Sequence, residues 1–222
     1  MRSRWDKTGA VMSRSRFDAF SDGVFAIAIT LLVLTIAQPT NYRDLAHQLT
    51  NLWPAFAAVA VSFAVIGIMW LNHHSLCSHL DRLDRPFIYL NFFLLFTVVL
   101  IPYPTGVLGE ALRQGHGART AAVVYSATMT VNALAWSSMW LYMSSGRRLL
   151  KPDFPESERR PATLGFTVGS AFYLVSIVIA LVSPYACLAF HGALAIYYAL
   201  DPLGRRAVPS TSDRDRPSGT MT

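Results

Sequence analysis

Charge is scarce in this sequence. Only 14% of the 222 residues are Asp, Glu, Lys or Arg, where a soluble domain carries about 25%. The deficit excludes an ordinary water-facing surface. With 53% hydrophobic residues and a mean hydropathy of +0.36, it points to lipid as the solvent. Cysteine is scarce too: Cys77 and Cys187 make no spaced pair, which excludes a disulfide framework and a cysteine-built zinc site. Enzyme signatures are missing, with no His-Glu-x-x-His, no Gly-x-Ser-x-Gly and no phosphate loop. Asp22 is the only strong acid inside an apolar run, apart from Asp18 at its edge, so an intramembrane enzyme is not expected. There is no voltage-sensing Arg series, no calcium loop and no room for a separate soluble domain. The two halves share no motif, which disfavours an inverted-repeat transporter.

What is present is a succession of apolar runs. A span needs about 20 mostly apolar residues. Six segments meet that need or nearly so: 17–37, 52–71, 87–107, 118–143, 162–182 and 184–200. The expected fold is therefore all-α and polytopic, with residues 1–204 as one six-helix membrane domain. Residues 205–222, rich in Ser, Thr, Asp, Arg and Pro, read as a disordered cytoplasmic tail. The basic N-terminus followed by an apolar run has the look of a signal peptide. No small-residue cleavage site ends that run, so it reads as a retained first span. Ser183-Pro184 alone separates the last two runs, which makes them a tight hairpin. Thr167-Val168-Gly169-Ser170 lies within a continuous apolar run, whereas a carbonyl filter needs a re-entrant loop. Gly165-x-x-x-Gly169 reads as a close helix contact instead.

The net charge of +6 fits an anionic membrane surface rather than nucleic acid, because the basic residues lie between apolar runs. With the N-terminus inside, sixteen of the 19 Lys and Arg are cytoplasmic. They are Arg2, Arg4, Lys7, Arg14, Arg16, Arg82, Arg85, Arg147, Arg148, Lys151, Arg159, Arg160, Arg205, Arg206, Arg214 and Arg216. Only Arg43, Arg113 and Arg119 remain outside. Cytoplasmic segments attract Lys and Arg, so both termini are expected inside.

The first run carries the chemistry. Arg16, Asp18 and Asp22 sit at its cytoplasmic end. A charge at membrane depth costs several kcal/mol, so Asp22 either belongs to a polar knot that fixes this helix or is an end charge at the interface. Beyond it, Ile27, Thr30 or Leu31, and Leu34 follow at helical spacing on one face. Periodicity alone reads that stripe as lipid-facing or packing surface. At the end of the second run, Trp70 and His73 stand three apart on one face, level with Ser21 and Asp22. They are candidates to bond either residue, or else to anchor at the interface. Asn91, near the start of the third run, can join the same knot or make an ordinary interhelical bond. His73 and His74 are adjacent and do not face each other, so no metal site is expected.

Arg16-x-x-x-Phe20-Ser21-Asp22, followed by Gly-Val-Phe-Ala-Ile-Ala-Ile-Thr-Leu-Leu-Val-Leu, resembles the first helix of bacterial transmembrane protein 175 family members. The resemblance implies a potassium-selective channel: a homotetramer of six-helix subunits in which the first helix of each lines the pore. It implies that Ile27, Thr30, Leu31 and Leu34 form the constriction, with either Thr30 or Leu31 nearer the axis. It also implies that Arg16, Phe20, Ser21 and Asp22 form a structural network with Trp70, His73 and Asn91. Rings of Ile and Leu at a narrow point can close a pore by dewetting. The expected setting is the inner (plasma) membrane, crossed several times. Expected partners are three further copies, lipid and potassium ions, with no cofactor, no bound metal and no nucleic acid. The competing reading is a proton-coupled secondary transporter that uses Asp22 and His73 as a relay.

Overall fold

The computed structural model describes residues 12–200, and within them the chain is helical throughout, without strands. Helix α1 spans Arg14–Leu31 and tightens into a 3-10 turn at Leu32–Thr35. A polar link with a second 3-10 turn leads to the short α2, Leu45–Asn51. Then come α3, Trp53–Ser78; α4, Arg85–Leu100; and α5, Pro102–Gln114. Helix α6 covers Ala118–Ser144, α7 covers Glu156–Val182 and α8 covers Pro184–Leu200. Four of the described segments are long and apolar enough to cross a membrane: Arg14–Thr35, Trp53–Ser78, Arg85–Gln114 and Glu156–Val182. Helix α8 is apolar but shorter. The tail expected from residue 205 lies outside the described residues.

Helix ends differ from the expected ones for physical reasons. The third run was expected to stop near residue 107, beyond Pro102 and Pro104. The helix instead restarts as α5, because both prolines fall in its first turn, where N–H groups lack intrahelical partners anyway. It ends at Gln114, capped by Gly115 in the left-handed conformation (φ 72°). Helix α3 continues past residue 71 to Ser78, so Asn72, His73 and His74 are helical. Asp84 caps α4 by accepting from Phe87 N–H at 3.0 Å.

Helix α6 lies at the centre, packed against α4, α5, α7 and α8. Its buried face carries Tyr125, Met129 and Met139 together with Ser126, Thr130 and Asn132. Buried polar groups must find partners, and these cross-link the bundle. Ser62 on α3 meets Thr105 (2.8 Å) and Tyr125 (3.0 Å), and Asn132 Nδ2 donates to Thr97 Oγ1 (2.7 Å). Where α3 and α5 cross, a Cβ on Gly109 would stand 2.8 Å from Ala55 Cα. Only glycine permits that approach.

Candidate pore helix and its polar support

Helix α1 has two unlike faces. Phe17, Ser21, Phe25, Ala28 and Leu32 are each 1% exposed or less. They recur every three to four residues and face α3 and α4, on which α1 packs. The other side is bare: Arg16, Phe20, Ile27, Thr30, Leu31 and Leu34 are exposed, Leu34 at 76% and Ile27 at 58%. Thr30 Oγ donates back to the Ile27 carbonyl at 2.8 Å. Its oxygen lone pairs are thereby left outward, on the same side as Leu31 and Leu34.

Behind the buried face runs a dry hydrogen-bond chain. Ser21 Oγ donates to the Phe17 carbonyl (3.0 Å) and accepts from Asn91 Nδ2 (3.1 Å). Asn91 Oδ1 then lies 2.8 Å from His73 Nε2. With the serine proton committed to Phe17 and the amide N–H to Ser21, only Nε2–H can complete the last bond, which settles the tautomer. Ser21, Asn91 and His73 are all buried. Aromatic rings close the chain off: Phe17 stacks on His73 at 6.1 Å, and Phe25 and Trp136 flank the imidazole at 5.4 and 6.2 Å. A second, wetter branch lies at the rim. Trp70 Nε1 donates to Asp22 Oδ1 at 2.8 Å, and both residues are exposed. Phe20 sets its edge against Phe92 at 5.7 Å.

Five of the seven expected network residues thus meet in two branches, and Phe20 stands beside them. Arg16 stands apart on the bare stripe. The cation that secures α1 is Arg14, which sequence reasoning left among the interfacial charges. Its guanidinium pairs with Asp18 (3.2 Å) and donates to the carbonyls of Leu80 (2.9 Å) and Cys77. The available signal was the Arg14–Asp18 spacing of four. Those carbonyls belong to the last turn of α3 and to the α3–α4 connection, and the connection is pinned in turn to the α6–α7 connection. Asp81 N–H donates to Leu149 O, Lys151 N–H to His79 O, and Tyr142 Oη to Asp84. Arg147, in the left-handed region at φ 55°, holds the far connection by donating to the carbonyls of Lys151, Pro152 and Phe154. A cavity of about 330 Å³ opens beneath the network, with Arg14, Asp18, Asp22, His73 and Lys151 in its walls.

Comparison with known proteins identifies the family. The family model for the endosomal/lysosomal potassium channel TMEM175 matches residues 16–102, from the start of α1 to the start of α5. A potassium channel of Streptomyces collinus is 42% identical over 201 residues, covering 88% of this chain and 98% of that one. The chain belongs to the TMEM175 family. The crystal structure of a lysosomal potassium-selective TMEM175 homolog from Chamaesiphon minutus matches with a TM-score of 0.76 at 36% identity. That match covers 88% of this chain and 98% of the other. The human endosomal/lysosomal proton channel TMEM175 is 38% identical over 90 residues, 36% of this chain and 18% of that one. TMEM175 proteins are ion channels of the membrane, and the chain is a channel-family protein rather than an enzyme.

Proposed function

We propose that this chain is one subunit of a potassium-selective channel in the cell's plasma membrane, with four α1 helices around a common axis. The observation that carries the reading is the bare stripe on α1. One face of the helix is sealed by its own subunit, while Ile27, Thr30, Leu31 and Leu34 are left uncovered. On a lone helix such a stripe would meet lipid. In the proposed tetramer it is the surface that meets the axis. The 22 residues of Arg14–Thr35 reach about 33 Å at 1.5 Å per residue, enough to cross a hydrocarbon core of about 30 Å. In this reading six helices span with both ends inside, and Ile27 and Leu34 form rings that close the path by dewetting. Thr30 offers oxygen lone pairs to a partly dehydrated cation. An apolar ring that strips water favours potassium, because sodium holds its water more tightly. Ser21, Asn91, His73 and the Trp70–Asp22 pair hold the helix so that the rings keep their radius.

Recording from purified protein in a planar bilayer, with potassium on one side and sodium on the other, tests the reading. A reversal potential that tracks the potassium gradient is expected. Flux that saturates and moves only with a proton gradient would sink it. That result would favour a proton-coupled carrier, a second reading supported by the presence of Asp22 and His73 in the walls of one small cavity.

A further inference from the structure

Helix α3 packs on α8, and α7 packs on α6 and α8, but α3 and α7 make no extended contact with each other among the described residues. A groove of about 450 Å³ lies between them. On α3 it runs from Val65 to His79 and on α7 from Glu158 to Tyr173, a length of about 21 Å at 1.5 Å per residue. Half of a bilayer's hydrocarbon core is about 15 Å. The groove therefore reaches from the headgroup level to beyond the membrane midplane on one side. Its ionisable residues, His79 and Glu158, stand at the end nearest the α3–α4 connection, whereas Trp136 and Phe166 wall its middle, with Asn72, Asn132 and Ser170 as scattered neutral polar groups. Glycine keeps it open. Gly165 lines the groove, and a Cβ added there would meet nothing within 4 Å.

We infer that this groove holds one acyl chain of a membrane phospholipid. The dimensions select the occupant. A flexible hydrocarbon chain can follow a groove of this volume and length, whereas a helix about 10 Å across is too wide to be enclosed by it. A second copy of this chain cannot enter it as a helix. The chain's own residues 201–222 are rich in Asp, Arg, Ser and Thr, and burying such groups among apolar walls is costly. A chain seated there fills the space between α7 and the helix that carries Trp70 and His73. The inference requires only that these helices span a membrane, and it stands or falls separately from the pore.

Brominated phosphatidylglycerol vesicles test it, because bromine on an acyl chain quenches nearby indoles. Trp136 and Trp140 are 7% and 3% exposed, so bulk lipid cannot reach them, yet both line the groove. The full chain reconstituted in these vesicles is expected to lose Trp136 emission, so Trp136→Phe should lower the quenched fraction. Gly165→Leu fills the groove and should lower it at least as much, since Trp140 is shielded too, with an unchanged size-exclusion profile and helical circular dichroism. A quenched fraction that stays level or rises in Trp136→Phe overturns the inference, and does so even if Gly165→Leu fails to fold. Equal quenching in wild type and a well-folded Gly165→Leu overturns it as well.

Discussion

Helices α1 and α6 exchange the roles that their compositions suggest. Helix α6 carries Ser126, Thr130, Asn132, Ser137 and Ser138 along its length and does not reach the hydropathy of a span. Yet it is the centre of the bundle. Its buried polar groups Asn132 and Thr130 are spent on neighbours, Asn132 on Thr97 and Thr130 on the Tyr173 carbonyl at 3.0 Å. Helix α1 reaches a mean hydropathy of 1.9 over its most apolar stretch, and half of it is bare. Between helices in a bilayer, apolar surface supplies little drive to associate, since lipid is as apolar as leucine. Small and hydrogen-bonding residues therefore go to the protein interior, and large apolar ones are left outside. What sets α1 apart from an ordinary lipid-facing helix is the effort spent behind it: a buried Ser–Asn–His chain and an arginine clamp fix one helix in azimuth. Such precision has no use on a helix that only meets lipid.

The comparison breaks most readily at the dry chain. Asn91→Leu removes the acceptor of His73 and the donor to Ser21 in one step and strands a ring N–H in an apolar site. The expected loss is about 2–3 kcal/mol, read as a clear drop in the thermal midpoint in detergent. An unchanged midpoint would mean that the chain does not hold α1. At the wetter branch, Asp22→Ala removes one charge-assisted bond from Trp70. The expected cost is smaller, about 1 kcal/mol, with a lower fraction of assembled protein on size exclusion. Asp22→Asn keeps an acceptor and should recover most of it. A fully assembled, normally conducting Asp22→Ala protein would reduce Asp22 to an end charge.

The fold was largely legible because lipid imposes a simple rule, an apolar run of sufficient length. The α1 start, the α6 start and the Ser183-Pro184 hairpin all follow from it. The rule fails where helices end. Nothing in Trp70-Leu71-Asn72-His73-His74 announces that α3 continues to Ser78. That extension comes from tertiary contact, with His73 and Cys77 buried against α1 and α4. Pro102 and Pro104 read as lying near the end of the third run but serve as the start of a further helix. At the site, spacing brought out Ser21, Asp22, Trp70, His73 and Asn91, since rare polar residues in apolar runs need partners. The order of bonding was not legible, because which of His73 and Asn91 touches Ser21 depends on interhelical distance. Arg14 escaped notice because Arg16 lies two residues on, and a two-residue step turns a helix by more than half a revolution.

Two further tests sharpen the contrast. On the bare stripe, Ile27→Ser and Leu34→Ser leave the packed face untouched, so stability should shift by less than about 0.5 kcal/mol. Conduction should not be spared: liposome flux assays are expected to show higher leak or weaker discrimination against sodium. Unaltered flux and selectivity in both variants remove these positions from the pore, while a large loss of stability shows the stripe to be packed after all.

The smallest effect is expected at His79, in the connection that Arg14 grips. The ring is half-buried edge-on against Phe154 at 5.1 Å, and burial holds its pKa below the usual histidine value. Glu158 and Asp153 pull it upward and Lys151 pushes it further down. The unfolded chain therefore binds this proton more readily than the folded one, and stability falls as pH drops below about 6.5. The fall levels off once the folded ring also titrates. His79→Phe preserves the ring contact and removes the proton, so the variant's thermal midpoint should decline less than wild type between pH 7.5 and 5. Equal declines would show that the connection is insensitive to this charge.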